Sequence, residues 1–307
     1  MKITYELLIS RFLLLLTVLC TVAACKKMPK FSKKTFEKTI ENDTSYLHAL
    51  SKVTLGKDMI VHKGVFSQDT NTYYYTVSKS DYTDFDVYQV ECFKGIWSRP
   101  QKASFNSDFD DHGMSFSPDG NTVYFSSTRP TGLSGLPATW HLWKSVKKEG
   151  RWSEPEFLDI PNLKGKLLSH PVVVNSRALY FHASNLDYSN MDLYQSSFVK
   201  GRYQPAVKCE IPLDTVQSKC TVYVAPDEEY LLFATVGYDL DLYISYNNGF
   251  GSWKRPLRLN SSINTNGRGN PSVTHDGKFL LFTQQRSIDS LWEVVSCSTE
   301  MAFENLK

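Results

Sequence analysis

The hydrophobic residues between positions 59 and 298 fall in short runs separated by turn-forming residues. The most apolar of these runs are aromatic and aliphatic and occupy residues 73–76, 123–126, 179–182, 231–234 and 280–283. Runs of this length, bounded by Asn, Asp, Gly and Pro, are typical of β-strands. No helical period of hydrophobic residues competes with them, so the chain is predicted to be all-β.

The strand-like runs belong to a repeat of about fifty residues. A glycine followed by an aromatic residue and then a proline marks each copy, in residues 95–100, 150–155, 201–205 and 251–256. Each marker follows a short strand that contains an aliphatic–aromatic pair, and a fifth copy of that strand occupies residues 290–292. The predicted unit is therefore strand, tight turn, strand, loop, strand, glycine turn, strand.

Four antiparallel strands repeated around an axis form a β-propeller, which leaves only short, protected sheet edges. The last copy has no aromatic–proline strand after Ser296. We therefore predict that the N-terminal segment supplies the missing outer strand and closes the ring, so that neither sheet edge stays open to pair with another chain.

Residues 117–129, with the sequence SPDGNTVYFSSTR, resemble the WD40-like propeller repeats of bacterial envelope proteins of the TolB-like class. Residues 226–227 and 276–282 fit the same pattern in part, whereas Asn175 and Ser176 lack its aspartate. The likeness extends over about residues 60–298 and implies a propeller. TolB-like propellers usually have six blades. The five repeats in this sequence favour five, with six as the alternative.

The first residues of the chain are predicted to be a signal peptide. Lys2 and Arg11 precede an uncharged run over residues 12–24, which as a helix rises only ~20 Å, short of the ~30 Å core of a bilayer. The residues before Cys25 resemble a bacterial lipoprotein signal, with Val22 where leucine is usual, so Cys25 is the predicted lipidation site. The alternative is an ordinary signal peptide cleaved near Ala24.

Three segments follow from this prediction: a signal peptide over residues 1–24, a lipidated tether over residues 25–50 and a propeller domain over residues 51–307. Six lysines crowd residues 26–38. They would either bind anionic lipid headgroups or form a solvated linker, and the linker is the favoured interpretation. Because no acidic stretch follows Cys25, we expect the protein on the outer membrane, facing the periplasm.

Composition agrees with a globular β-protein. Hydrophobic residues make up 41%, charged residues 21% and aromatic residues 13%, which excludes a disordered polymer and favours strands. The formal net charge is +2, so nucleic acid is not an expected partner, because phosphate binding requires a concentrated basic face. The spacing of the cysteines matches no metal or redox motif, and a bridge between Cys209 and Cys220 is not expected.

Two recurring residue types are predicted to be structural. Aspartates 69, 119, 227 and 276 share one position in the repeat, where a short acidic side chain binds the backbone two residues on, and Gly120 and Gly277 supply positive φ. The spacing differs from that of a sialidase Asp box. The aromatic residues at 97, 152, 203 and 253 are predicted to pack between blades rather than to stack on sugars.

Polar residues just ahead of the inner strands are the candidate site, because these strand starts converge on one mouth of the central channel. His62 and His112 align in register, and His170 lies one residue further on. The predicted ligand-binding residues are His62, Asp111, His112, His170, Lys219 and Arg268. No second carboxylate orients the imidazoles, so neither a metal nor another cofactor is predicted.

These observations favour a monomeric, lipid-anchored envelope propeller that binds or scaffolds an envelope protein or glycan. The alternative is a carbohydrate-active enzyme of the glycoside hydrolase type, working at the channel mouth through two of Asp110, Asp111 and Asp214. That chemistry requires two carboxylates ~5 to 10 Å apart. No nucleophile elbow, zinc motif or phosphate loop occurs in the sequence, so catalysis is the less favoured interpretation.

Overall fold

A computed structural model describes residues 59–306 apart from residues 95, 214–217, 237–239, 250–251, 265–266, 286–291 and 305. The described chain is an all-β propeller of five blades. The all-β class and the blade number are thus confirmed. The predicted signal peptide, the tether and the closing N-terminal strand lie outside the described residues.

In each blade the strands run from the channel outward in chain order. The first two blades contain β1 (Met59–Phe66), β2 (Thr72–Lys79), β3 (Asp86–Phe93), β4 (Ile96–Trp97) and β5 (Gln101–Lys102), then β6 (Asp111–Phe116), β7 (Thr122–Ser127), β8 (His141–Lys148), β9 (Arg151–Trp152) and β10 (Glu156–Phe157). The strands pair antiparallel, with β1 and β6 innermost. Both outer strands are split in two, because the proline of the repeat follows the aromatic residue and cannot donate to the ladder.

The remaining blades repeat this order. They contain β11 (Leu167–Val173), β12 (Leu179–Ser184), β13 (Asp192–Ser196), β14 (Phe198–Val199), β15 (Arg202–Tyr203) and β16 (Val207–Lys208), then β17 (Ser218–Val224), β18 (Tyr230–Val236), β19 (Asp241–Tyr246) and β20 (Leu257–Arg258), and finally β21 (Arg268–Val273), β22 (Phe279–Gln285) and β23 (Trp292–Ser298). A short helix, α1 (Thr299–Ala302), follows the last strand, and the Ser298 hydroxyl caps it by accepting from the Met301 amide.

Each inner strand carries a β-bulge. The pairing of every inner strand with its neighbour slips by one residue, between positions Val61/Gly64, His112/Ser115, Ser169/Val172, Cys220/Tyr223 and Gly269/Ser272. A bulge leaves one residue unpaired and bends the strand, so it re-aims the side chains beside it.

Hydrophobic clusters fill the seams between neighbouring blades. Residues of the first and fifth blades share one cluster, in which Tyr73 and Trp97 pack with Phe279 and Leu281. Four further clusters join the other neighbouring pairs. The ring is therefore closed by packing between blades. The Ser272 hydroxyl also donates to the Gly64 carbonyl at 2.6 Å across the closing seam.

The hairpin turns confirm the structural role of the recurring aspartates. Asp119 Oδ1 accepts from the Ser117 hydroxyl at 2.5 Å and from the Asn121 amide at 3.1 Å, and these bonds lower the pKa of Asp119. Gly120 has the predicted positive φ of 69°. Of the outer aromatic residues, those at 97 and 253 are buried, as expected, whereas Trp152 and Tyr203 are half-buried.

Two simpler features complete the description. Cys92, Cys209, Cys220 and Cys297 are free thiols. Over the part of the chain that the structure covers, no helix has the length and hydropathy to span a bilayer.

Thr70 occupies the turn position that glycine takes in the second and fifth blades, and it has a φ of 58°. A side chain in this left-handed region costs about 1 kcal/mol. We predict that Thr70→Gly raises the free energy of unfolding by about 0.5 kcal/mol, measured by urea denaturation. Thr72→Gly, in strand β2, is the control and should lower it; a destabilised Thr70→Gly protein would contradict the prediction.

Candidate functional site

A cavity of about 470 Å³ opens at the end of the propeller axis where the inner strands finish. The inner strands or hairpin turns of all five blades line this cavity, which we call the funnel. Its residues include Lys63, Phe66, Gln68, Phe116, Val173, Asn175, Tyr223, Asp227, Tyr230, Val273, His275 and Asp276. A concave pocket that collects side chains from every blade is the natural binding site of such a fold.

The six candidate residues predicted from the sequence lie at or near the starts of the inner strands, away from the funnel, and their role in ligand binding stays a prediction. None of the six candidate residues is among those that line the funnel. Asp111 is fully buried and bonds the Arg129 guanidinium at 2.6 Å, and Lys219 lies 3.0 Å from Asp192. Arg268 is buried beside the Phe282 ring. These charges are used inside and between the blades, because a buried charge is stable only when it is paired.

The register of the histidines is as predicted. The aligned hairpins put His62 and His112 at equivalent positions, and His170 lies one residue further along. His170 therefore falls in the bulge, which places it at the channel axis.

The bulge position is the one where the five blades meet at the axis. Counted back from the hairpin turns, the equivalent residues are Lys63, Gly113, His170, Thr221 and Asn270. Lys63 is the second residue of its bulge, after His62, whereas the other four are the first residues of theirs. All except Lys63 have a positive φ, between 47° and 64°. For a residue with a side chain this conformation is strained, and such strain clusters at functional sites. Glycine at 113 avoids a tight contact, because a Cβ there would lie 3.2 Å from the His170 ring.

Hydrogen bonds across the axis hold the imidazoles. His170 Nε2 donates to Asn270 Oδ1 at 2.9 Å, from the third blade to the fifth. The Ser169 hydroxyl contacts His170 Nδ1 at 3.0 Å and His112 Nε2 at 2.8 Å. His182 Nδ1 accepts from the Thr221 amide at 3.3 Å. The axis is thus bridged by a polar network.

The histidines of this network are neutral. Burial lowers the pKa of His62 to about 4 and the pKa of His182 to about 3. Burial, and then the charges of neighbouring groups, lower the pKa values of His112 and His170 as well. No three potential ligands converge into a metal site among the described residues.

Lys63 differs from every other member of the axis. Its side chain is 2% exposed and lines the funnel. Burial lowers its pKa to about 8, and no described residue gives it a hydrogen bond or an ion pair. Its charge lowers the pKa values of His112, His170 and His182. The ammonium group therefore lies between the histidine network and the funnel, as a buried cation with no counter-charge.

Lys63 could hardly be chosen from the sequence. It lies between His62 and Gly64 in an otherwise apolar strand, where lysine commonly points to solvent. Only the bulge turns this position towards the axis. An alignment of the five repeats could have singled out Lys63. In the other four blades the position holds Gly113, His170, Thr221 and Asn270, none of which carries a full charge at neutral pH.

The carboxylates named for the enzyme alternative serve other bonds. Asp110 Oδ1 accepts from the Phe85 amide at 2.9 Å, and Asp111 is paired with Arg129. Asp214 lies outside the described residues. The funnel's own carboxylates, Asp227 and Asp276, each accept backbone amides of their hairpin turns through Oδ1.

The fold is similar to those of two solved structures. TolB from Acinetobacter baumannii matches with a TM-score of 0.50 and 14% identity, over 81% of this chain and 54% of that chain. A thermostable family-43 glycoside hydrolase matches with a TM-score of 0.53 and 13% identity, over 80% of this chain and 91% of that one. This chain thus spans about half the length of the TolB structure. No protein family profile and no curated protein matches the sequence.

The buried imidazoles predict acid sensitivity. In the unfolded chain a histidine takes up a proton as the pH falls below its ordinary pKa of about 6.5. In the folded protein His182 takes one up only near pH 3. The free energy of unfolding therefore decreases as the pH falls from 6.5 towards 3. We predict that the thermal midpoint drops between pH 7.5 and 5, and that His182→Asn reduces this drop. The control is the exposed His275→Gln, which should keep the wild-type drop; an equal drop in the His182 variant would contradict the assignment.

Proposed function

We propose that this chain is a binding protein of the bacterial cell envelope, held by a lipid on Cys25, which takes an acid-bearing glycan in its funnel. The observation that carries the proposal is Lys63, a buried lysine with which no described residue forms a hydrogen bond or an ion pair, at the base of a cavity that every blade lines. A carboxylate on the ligand would supply the missing counter-charge.

The burial of Lys63 has an energetic cost, which its lowered pKa reflects. A lysine whose pKa is lowered by burial destabilises the folded protein at neutral pH, because the charged form is desolvated. A methionine in its place would avoid this cost and keep the packing. A bound carboxylate offsets the cost, and a charge-assisted hydrogen bond to it contributes about 1.5–3 kcal/mol.

The walls and rim of the funnel favour a hydroxyl-rich ligand with one acidic group. Phe66, Phe116 and Tyr223 give aromatic surface to the wall, which suits the apolar faces of sugar rings. The rim carries Asp227 and Asp276, whose carboxylates accept hydrogen bonds from hydroxyl groups. An acidic sugar with its carboxylate at the base would pair with Lys63, and its hydroxyl groups would donate to the rim carboxylates.

Binding is favoured over hydrolysis because the funnel's aspartates already hold the hairpin turns and its base is cationic. A glycosidase requires one carboxylic acid and one carboxylate facing each other across the bond to be cleaved. Release of reducing ends from a glycan that binds the funnel would overturn the binding assignment and establish the enzyme.

The first test is binding of glucuronic acid, compared with glucose, by isothermal titration calorimetry. We expect glucuronate to bind and Lys63→Met to weaken it at least about tenfold. Affinity should also fall above about pH 8, as Lys63 loses its proton. Because it removes a buried charge, Lys63→Met should melt at a higher temperature than the wild type. Equal affinity for glucose and glucuronate would contradict the proposal.

The anchor is tested separately in a Gram-negative host grown with an alkyne fatty acid. We expect the protein to be labelled and to remain with the membranes, and Cys25→Ser to lose both properties. Cys92→Ser, which changes a thiol within the propeller, is the matched control and should stay labelled. An unlabelled wild-type protein would show that Cys25 is not acylated, without bearing on the funnel.

A further inference from the structure

A second cavity, of about 360 Å³, lies between the second and third blades on the same face as the funnel. We call it the side groove. Ser117, Pro118, Val173 and Asn175 line both cavities. The side groove therefore opens beside the funnel and leads outward from it. Its remaining residues include Tyr124, Lys144, Arg177, Phe198 and Tyr203.

Two departures from the repeat meet at this groove. The inner hairpin of the third blade is one residue shorter than that of the second, because Val174 N bonds the Ala178 carbonyl whereas Ser117 N bonds that of Thr122. The turns of the other three blades have the longer spacing. Asn175, which lies in the shorter turn, lines both the side groove and the funnel.

The second departure is Tyr203, which stands where the other blades have tryptophan at 97, 152 and 253. It packs beside Tyr124 of the second blade and is half-buried, as is Trp152, whereas Trp97 and Trp253 are 3% and 4% exposed. A smaller ring at this seam leaves volume that tryptophan would fill. Both irregularities of the third blade thus lie at the same groove.

The groove offers aromatic surface and a cation. The Arg177 guanidinium lies 5.8 Å from the centre of the Phe198 ring, and that ring packs against Tyr203 at 5.0 Å. Arg177 is exposed, has a φ of 65° and forms no ion pair with any residue in the described ranges. Lys144 is by contrast paired with Glu156 at 3.2 Å.

We propose that the side groove is a second subsite, which holds the next sugars of a glycan chain whose acidic end lies at Lys63. This inference rests on the proposed function of the funnel. The rings of Tyr203 and Phe198 contact the sugar faces, and Arg177 pairs with a carboxylate of a second acidic sugar. The ligand class is therefore a short oligosaccharide of uronic acids rather than a single sugar.

Calorimetric titration with glucuronic acid and with oligouronates of two to four sugars tests this inference. In the wild type, affinity should rise at least tenfold from the single sugar to the trimer. Tyr203→Trp, which restores the residue of the other blades, should bring the ratio of the two affinities close to one. Arg177→Ala should reduce this ratio. The control is Arg202→Ala, which changes an arginine on the strand of Tyr203 but outside the groove, and it should leave the ratio unchanged.

The outcomes separate the two proposals. If the single sugar binds through Lys63 and added length gives no gain, the side groove is not a subsite and the funnel assignment stands. If the Tyr203→Trp variant still binds the trimer more tightly than the single sugar by the wild-type factor, the side groove is likewise not a subsite. If no uronate binds, or if peptides ending in a free carboxylate bind instead, both proposals fail.

Discussion

The β-bulge in each inner strand is the constraint on which the rest of this propeller depends. Without the extra residue, the inner strands would carry regularly alternating side chains that face only the neighbouring blades. With it, one residue from each blade is turned to the axis, in a left-handed conformation at 113, 170, 221 and 270. The polar network, the low pKa values of the imidazoles and the isolation of Lys63 all follow from this crowding at the axis.

Most of the fold could be predicted from the sequence because the repeat determines it. Aromatic strands, aspartate turns and aromatic–proline markers recur at nearly constant spacing, and each has one structural meaning, so five copies indicate five blades. The role of Asp119 and the burial of the tryptophans at 97 and 253 follow from the same regularity. Closure by the N-terminal segment stays a prediction.

The site could not be predicted in the same way, because it depends on geometry that the repeat does not encode. Two ends of a channel look alike in sequence, and charged residues at strand starts, such as Asp111 and Lys219, attract attention although each is used in a buried ion pair. Lys63 occupies an ordinary position in an apolar strand until a bulge turns it inward. The departures from the repeat, which are the short hairpin of the third blade and Tyr203 in place of tryptophan, both lie at the side groove.

The hydrogen bond from Ser272 to Gly64 joins residues 208 positions apart. Contacts of such long range form slowly, because closing a long loop is entropically costly before any packing offsets it. The first blade must therefore wait, with one face uncovered, until the last has emerged and folded. During synthesis, the face that bears Tyr73 and Trp97 is the part of the protein that most needs the protection of chaperones.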